Sequence, residues 1–113
     1  MRYALLVAVD ENVELSEEDV ERRYAEFMGF QDEMQARGVL VGRERLQPTP
    51  LATTVRVRDE GLVVADGPFA ETKEQIAGFY IIECEDLDEA IEIASRNPGA
   101  RYGTIEVRPV WEI

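Results

Sequence analysis

Four ionisable side chains crowd one ten-residue stretch, Asp66-Gly67-Pro68-Phe69-Ala70-Glu71-Thr72-Lys73-Glu74-Gln75: three carboxylates and the only lysine of the chain. Carboxylates beside a lone cation are the groups that acid–base chemistry or anion binding employs. Asp66 follows an apolar strand. At the edge of a pocket its carboxyl would be desolvated and its pKa raised, which suits a general base that abstracts a proton beside a carbonyl. Glu71 and Glu74 stand close enough in sequence to relay that proton or to repel a like charge. Thr72 with Gln75 reads as a capping box for a short helical turn, whose free N–H groups, reinforced by Lys73, would hold an anion. The same residues have a plainer use. Asp-Gly-Pro is turn vocabulary, with Asp bonding back to nearby amides and Pro fixing φ, so the segment can simply join two strands.

Further candidates lie on the expected strands. Arg56 and Arg58 alternate with Val55 and Val57 and share one strand face. If that face borders a cavity, Arg56 can clamp a carboxylate with both arms of its guanidinium; otherwise it pairs with the surplus acids. Glu44 and Gln47 bracket the end of the second strand and are placed to line the same cavity. Tyr80 offers it a hydroxyl, against the alternative of a core or interface tyrosine. Glu106 and Arg108 read as a surface pair. Histidine is absent, which removes the commonest general base and the commonest metal ligand together. With one cysteine and no histidine, a structural zinc site is excluded; a hard, oxygen-ligated cation at a carboxylate cluster stays open but has no loop motif behind it, and no cofactor is implied. Cys84 has no cation beside it and reads as a small core residue rather than a reactive thiol.

The elements that must position these groups follow from periodicity. Residues 2 to 9 form a strand that is apolar on both faces. Ser16, with Asp19 three residues on, opens a helix whose stripe is Val20, Tyr24, Phe27, Met28 and Met34; Gly38 ends it. That spacing assigns Tyr24 and the methionines to the core. Val39 to Leu46 is a second strand, leaving through Gln47-Pro48-Thr49-Pro50. Thr53 to Arg58 and Leu62 to Ala65 make a hairpin across Asp59-Glu60-Gly61, with Gly last where positive φ is required. Gly78 to Cys84 is the next strand. Asp86 and Glu89 open a second helix facing inward through Leu87, Ala90, Ile91 and Ala94, stopped by Asn97-Pro98-Gly99. Thr104 to Val110 is the last strand. The order is β-α-β, hairpin, β-α-β: an α+β, ferredoxin-like sheet with both helices on one face.

Two helices cover one side of such a sheet and leave the other exposed. That side is apolar here, with Phe79 and Ile81 opposing Tyr80 and Ile82, so a second copy is expected to cover it in a homodimer with the sheets packed face to face. The chain of 113 residues, 45% hydrophobic, is one domain able to build its own core. With 24 acids against 12 bases, a net charge of −12, direct binding to nucleic acid or to an anionic membrane surface is disfavoured. A short apolar start, no run near the roughly 20 residues of a membrane helix and a single unpaired cysteine together read as cytoplasmic.

The run from Ala52-Thr53-Thr54-Val55-Arg56-Val57-Arg58 through the Asp66–Gln75 segment to Gly78-Phe79-Tyr80, with the tail Ala100 to Val110, resembles the bacterial DGPF proteins of the YCII-related superfamily. The likeness spans nearly the whole chain. It implies a dimeric α/β-barrel of ferredoxin-like halves. Relatives in that superfamily are proposed to use a His-Asp pair in a cleft, and Asp66 matches the aspartate. The chain has no histidine, so the dyad is excluded. Family members also occur beside extracytoplasmic-function sigma factors. Two functions follow. One is a binding protein for a small anionic or carbonyl-bearing metabolite near Asp66 and Lys73, with an isomerase- or lyase-type acid–base step as an extension. The other is a non-catalytic interaction module whose acidity suits a basic partner such as a sigma factor.

Overall fold

Alternation of apolar side chains explains the central strand first. In the computed structural model, which describes residues 1–112, β1 (Arg2–Val9) turns Tyr3, Leu5 and Val7 into a buried layer and Ala4, Leu6 and Ala8 to the opposite face. It lies between β5 (Gln75–Glu83) and β6 (Gly103–Pro109), and β5 also pairs with β2 (Leu40–Arg45), all antiparallel. The order β2-β5-β1-β6 is that of two split β-α-β units, so the chain adopts the expected ferredoxin-like α+β arrangement. Both edge strands carry charge, Arg43, Glu44 and Arg45 on β2 and Glu106 and Arg108 on β6, which discourages edge-to-edge pairing.

α1 (Glu17–Ala36) begins where the Ser16 hydroxyl accepts the Asp19 amide at 3.1 Å, with Glu17, Glu18 and Asp19 in the first turn, where the helix dipole favours acids. α2 (Leu87–Arg96) repeats the device: Asp86 accepts from the Glu89 amide at 2.9 Å. Both helices pack on one face. Phe30 and Met34 of α1 and Ala90, Ile93 and Ala94 of α2 close over Tyr3, Leu5 and Ile82. Cys84 belongs to this cluster, and burial pushes its thiol up, as suits an inert core residue.

The apolar stripes are not where spacing alone puts them. Val20 and Tyr24, expected in the core, are 48% and 55% exposed, and Phe30 and Met34 hold the core instead. The first half of α1 stands off the sheet and leaves a groove, of which Val20, Tyr24, Phe27 and Met28 form one wall. On α2, Leu87 and Ile91 face out while Ala90, Ile93 and Ala94 face in; the two alanines let the helix approach the sheet, and Ile93 fills the space beneath. Asn97-Pro98-Gly99 ends α2 as expected but also starts a one-turn helix, α3 (Gly99–Tyr102), with the Gly99 amide donating to Asn97 Oδ1 at 2.8 Å. A Cβ at Gly103 would lie 2.0 Å from the Ala8 carbonyl oxygen, so only glycine lets α3 feed β6 onto β1.

β3 (Thr53–Arg58) and β4 (Gly61–Asp66) pair only with each other. Their connection is the two residues Asp59-Glu60; Gly61, at φ 110°, already pairs with Arg58, so the loop is one residue shorter than expected. At its base the hairpin is pinned by Gly67 N donating to the Ala52 carbonyl at 2.8 Å and Thr54 Oγ1 donating to the Gly67 carbonyl at 2.7 Å. Gly67 sits at φ 94°, a backbone state that glycine supplies without strain.

Candidate functional site

The groove under the first half of α1 has a volume of about 510 Å³, within the range of small-molecule sites. Val7, Phe27 and Met28 give it an apolar floor and wall, and Arg23, Arg43, Arg45, Tyr80 and Tyr102 supply polar groups. Arg23 is one helical step from Val20 and from Phe27, so the helix that turns those residues toward the sheet turns Arg23 there too. Its guanidinium carbon lies 3.8 Å from the centroid of the Tyr102 ring, in cation–π contact. Its Nε is buried without a hydrogen-bond acceptor.

α3 brings Tyr102 to this position, and Glu26 fixes it: the Tyr102 hydroxyl donates to Glu26 Oε1 at 2.6 Å, and Arg101 pairs with the same carboxylate. The Tyr102 hydroxyl, together with Arg101 and Arg22, holds the Glu26 carboxyl below the usual range. The ring is thereby tied at its edge and offers its face to Arg23. Tyr80 packs edge-on against Phe30, ring centroids 5.1 Å apart at 77°. Burial pushes its phenol up, with Asn97 and Arg43 acting in the opposite sense, so it is a hydroxyl donor at neutral pH.

Ion pairing sets this groove apart. Of eleven arginines, six (Arg2, Arg22, Arg37, Arg96, Arg101 and Arg108) pair with a carboxylate. Among the described residues five do not: Arg23, Arg43 and Arg45, which line the groove, and Arg56 and Arg58 on the hairpin. In a chain with twice as many acids as bases, cations without partners at one place are cations held for something else.

The sequence candidates fall in three places. Tyr80 and Glu44 come together at the groove. Thr72 and Lys73 lie on the opposite side of the sheet, in a shallow cleft with Leu6, Ala8, Ile76, Thr104 and Glu106. Arg56 and Asp66 are exposed on the hairpin, Asp66 opposite Thr53 at its base rather than at the rim of an apolar pocket. No helical turn forms at Thr72: its hydroxyl donates to the Glu74 carbonyl at 2.6 Å instead of accepting an amide, and Gln75 is already in β5. The row of free N–H groups expected there is therefore absent. Glu74 accepts from Thr104 Oγ1 at 2.7 Å, tying the segment to β6.

Arg23, Arg43 and Tyr102 were not among the sequence candidates. For Arg23 a signal existed, a charged residue inside the apolar stripe between Val20 and Phe27. For the others there was none, because β2 and α3 meet α1 only in the fold. Among the described residues no three His, Cys, Asp or Glu side chains gather closely enough to hold a metal ion, and no helix is long and apolar enough to cross a membrane.

The architecture is that of the ferredoxin-like α+β proteins, and comparison of the sequence narrows it. The YCII-related domain matches residues 1–113. An uncharacterized protein of Rhizobium meliloti (strain 1021) is 42% identical over 114 residues, covering 97% of this chain and 92% of the relative. The chain belongs to the YCII-related family.

Proposed function

We propose that this protein binds a small organic anion, a carboxylate or carbonyl-bearing metabolite with an apolar body, in the groove between α1 and the sheet. One observation carries the reading: Arg23, Arg43 and Arg45 line an apolar groove with no carboxylate partner among the described residues, in a chain of charge −12. A guanidinium is planar, stays charged and matches a carboxylate with two parallel hydrogen bonds. Tyr80 adds a hydroxyl donor suited to a carbonyl or carboxylate oxygen, while Val7, Phe27 and Met28 receive the apolar part.

The protein works as a homodimer, with the uncovered sheet face as the contact surface. An isomerase- or lyase-type proton transfer at Asp66 needs that dimer, because within one chain Asp66 stands outside the groove. A purely acidic module that docks on a sigma factor would leave the unpaired arginines of the groove without a role.

Thermal unfolding in the presence of a panel of aliphatic and aromatic carboxylates tests the reading. A ligand at about 100 times its Kd stabilises the native state by about 2.7 kcal/mol, a readily measured rise in Tm. The expected result is a rise with some monocarboxylates that is lost in Arg43→Ala, whose side chain is exposed and makes no ion pair. A panel without effect, or a rise that Arg43→Ala keeps in full, overturns it.

A further inference from the structure

Five exposed hydrophobic side chains on the hairpin, with Phe69 just beyond it, are the largest part of this molecule without a use. In the β3–β4 ladder Val55 faces Val64 and Val57 faces Leu62, so these four lie on one side, with Arg56, Arg58 and Val63 on the other. The four are 60%, 58%, 72% and 68% exposed, and Phe69 just beyond the hairpin is 83% exposed. A two-stranded hairpin with no sheet or helix behind it is marginal in water. An amphipathic one is built to lie on something.

The chain also has a surface that wants covering. On the side of the sheet away from the helices, register aligns Ile81 with Ala4, Phe79 with Leu6 and Ile76 with Ala8. Glu44 and Glu106 flank the Phe79–Leu6 row. The hairpin pairs with no strand of that sheet in its own chain.

The size of the molecule says how much is missing. Its accessible surface is 8069 Å², whereas a compact monomer of 12.8 kDa has about 6,300 Å². Its radius of gyration is 16.0 Å, against about 13 Å for a compact domain of this length. The excess, roughly 1,800 Å², exceeds the about 800 Å² that each partner contributes to a standard interface. That is an extended protomer of a larger particle, not a finished monomer.

We propose that the β3–β4 hairpin is an arm that seats its Val55, Val57, Leu62 and Val64 face on the open sheet face of a second copy, reciprocally. The proposal deepens the homodimer reading above and rests on it. Both surfaces belong to the same chain, so one two-fold axis satisfies both at once and closes the assembly at two copies. Arg56 and Arg58, on the other side of the arm, stay turned to solvent when the apolar side is seated. The seating also gives the cleft of Thr72, Lys73 and Thr104 a wall from each copy. It explains why motif residues close in sequence, Asp66 and Lys73, do not share a site within one chain.

Two measurements on the full chain test this. In the first, isotopically heavy Val57→Cys chains are mixed with light Leu6→Cys chains, dissociated and reassociated, then treated with a short bis-maleimide. Native Cys84 is buried and stays silent. The expected product is a covalent heavy–light pair, formed several-fold more than by wild type mixed with either variant. In the second, light scattering follows the exposed-site variant Val57→Asp/Leu62→Asp, expected to be a folded monomer where wild type is a dimer. A wild-type dimer that gives no heavy–light product, together with a Val57→Asp/Leu62→Asp variant that still dimerises, overturns the arm and leaves the homodimer standing. A wild type that is monomeric at micromolar concentration overturns both, and assigns the arm to a different protein.

Discussion

The four-stranded sheet and the β3–β4 hairpin are written in the same residues and end in opposite environments. Val7 in β1 is 4% exposed and Val57 in β3 is 72% exposed, although each alternates with its neighbours along a regular antiparallel strand. Alternation specifies a strand and the two faces it will have; it does not say what will cover them. For β1 the cover comes from α1 and α2 of the same chain, closed within its own core. For the hairpin no cover is local. The difference teaches that burial of a strand is a property of its partner, and that an apolar face left bare by the chain is information about assembly.

The sharpest way to break this comparison is to remove the same kind of side chain from each region. Leu5→Ala empties a site that is fully enclosed, and large-to-small changes of that kind cost about 2–5 kcal/mol. Urea unfolding should show that loss at every protein concentration. Val57→Ala should stay within about 0.5 kcal/mol in dilute solution, as surface changes do. Its cost should grow with concentration, as the arm finds its seat. Equal effects for the two variants in dilute solution would mean that the hairpin is already covered within the chain.

Glycines sharpen it further. At Gly103 a Cβ meets backbone, the Ala8 carbonyl oxygen at 2.0 Å, and the carbonyl cannot rotate away without breaking the β1–β6 ladder. Gly103→Ala is expected to destabilise by about 1–3 kcal/mol, the range of overpacked sites. Gly42 in edge strand β2 has nothing within 4 Å of a Cβ, so Gly42→Ala should lie within about 1 kcal/mol of wild type in either direction. Similar losses for both would place the tightness in the strand backbone generally and not in the α3–β6 junction.

At the groove, Tyr102→Phe separates holding from binding. It removes the hydroxyl that donates to Glu26 at 2.6 Å but keeps the ring beneath Arg23. Loss of one hydrogen bond predicts about 1 kcal/mol in chemical denaturation. Carboxylate-induced stabilisation should persist, reduced by no more than a few-fold, because Arg23 keeps its stacking partner. Complete loss of the ligand effect would make the Glu26–Tyr102 bond, and not the ring, the feature that sets the guanidinium.

Legibility followed locality. Strand β1 and both helix starts were readable because their causes lie within a few residues: Ser16 and Asp86 each accept the amide three positions on. The sheet order followed from the order of elements. The inward faces of the helices were less so, since Val20 and Tyr24 satisfy the same spacing rule as Phe30 and Met34, and only the distance of each half of α1 from the sheet separates them. Thr72 misled for a chemical reason: a hydroxyl both donates and accepts, and here it donates to Glu74. The groove was the least legible, because Arg23, Arg43, Tyr80 and Tyr102 come from four elements. What gives it away is an absence of ion pairs, which no sequence displays.

The smallest effect expected concerns the seam between α1 and α2. Glu33 accepts from Arg96, with the Nε bond at 3.1 Å, and this hydrogen bonding, helped by the charges of Arg96 and Arg37, holds its carboxyl below the usual range against the opposing effect of burial. A carboxyl whose folded pKa is depressed stabilises the fold above its unfolded value, about 4.3 for glutamate, and loses that contribution as pH falls through the folded value. Wild type should therefore exceed Glu33→Gln in stability at neutral pH, and the gap should close below the ordinary glutamate range. Because both side chains are well exposed, the gap is small and should shrink with added salt. Unfolding midpoints in urea across that acid range check it. A gap that persists in acid would show that the seam is held by packing of the Arg96 stem on α1 and not by charge. The joint between the helices would then be as insensitive to pH as the core beneath them.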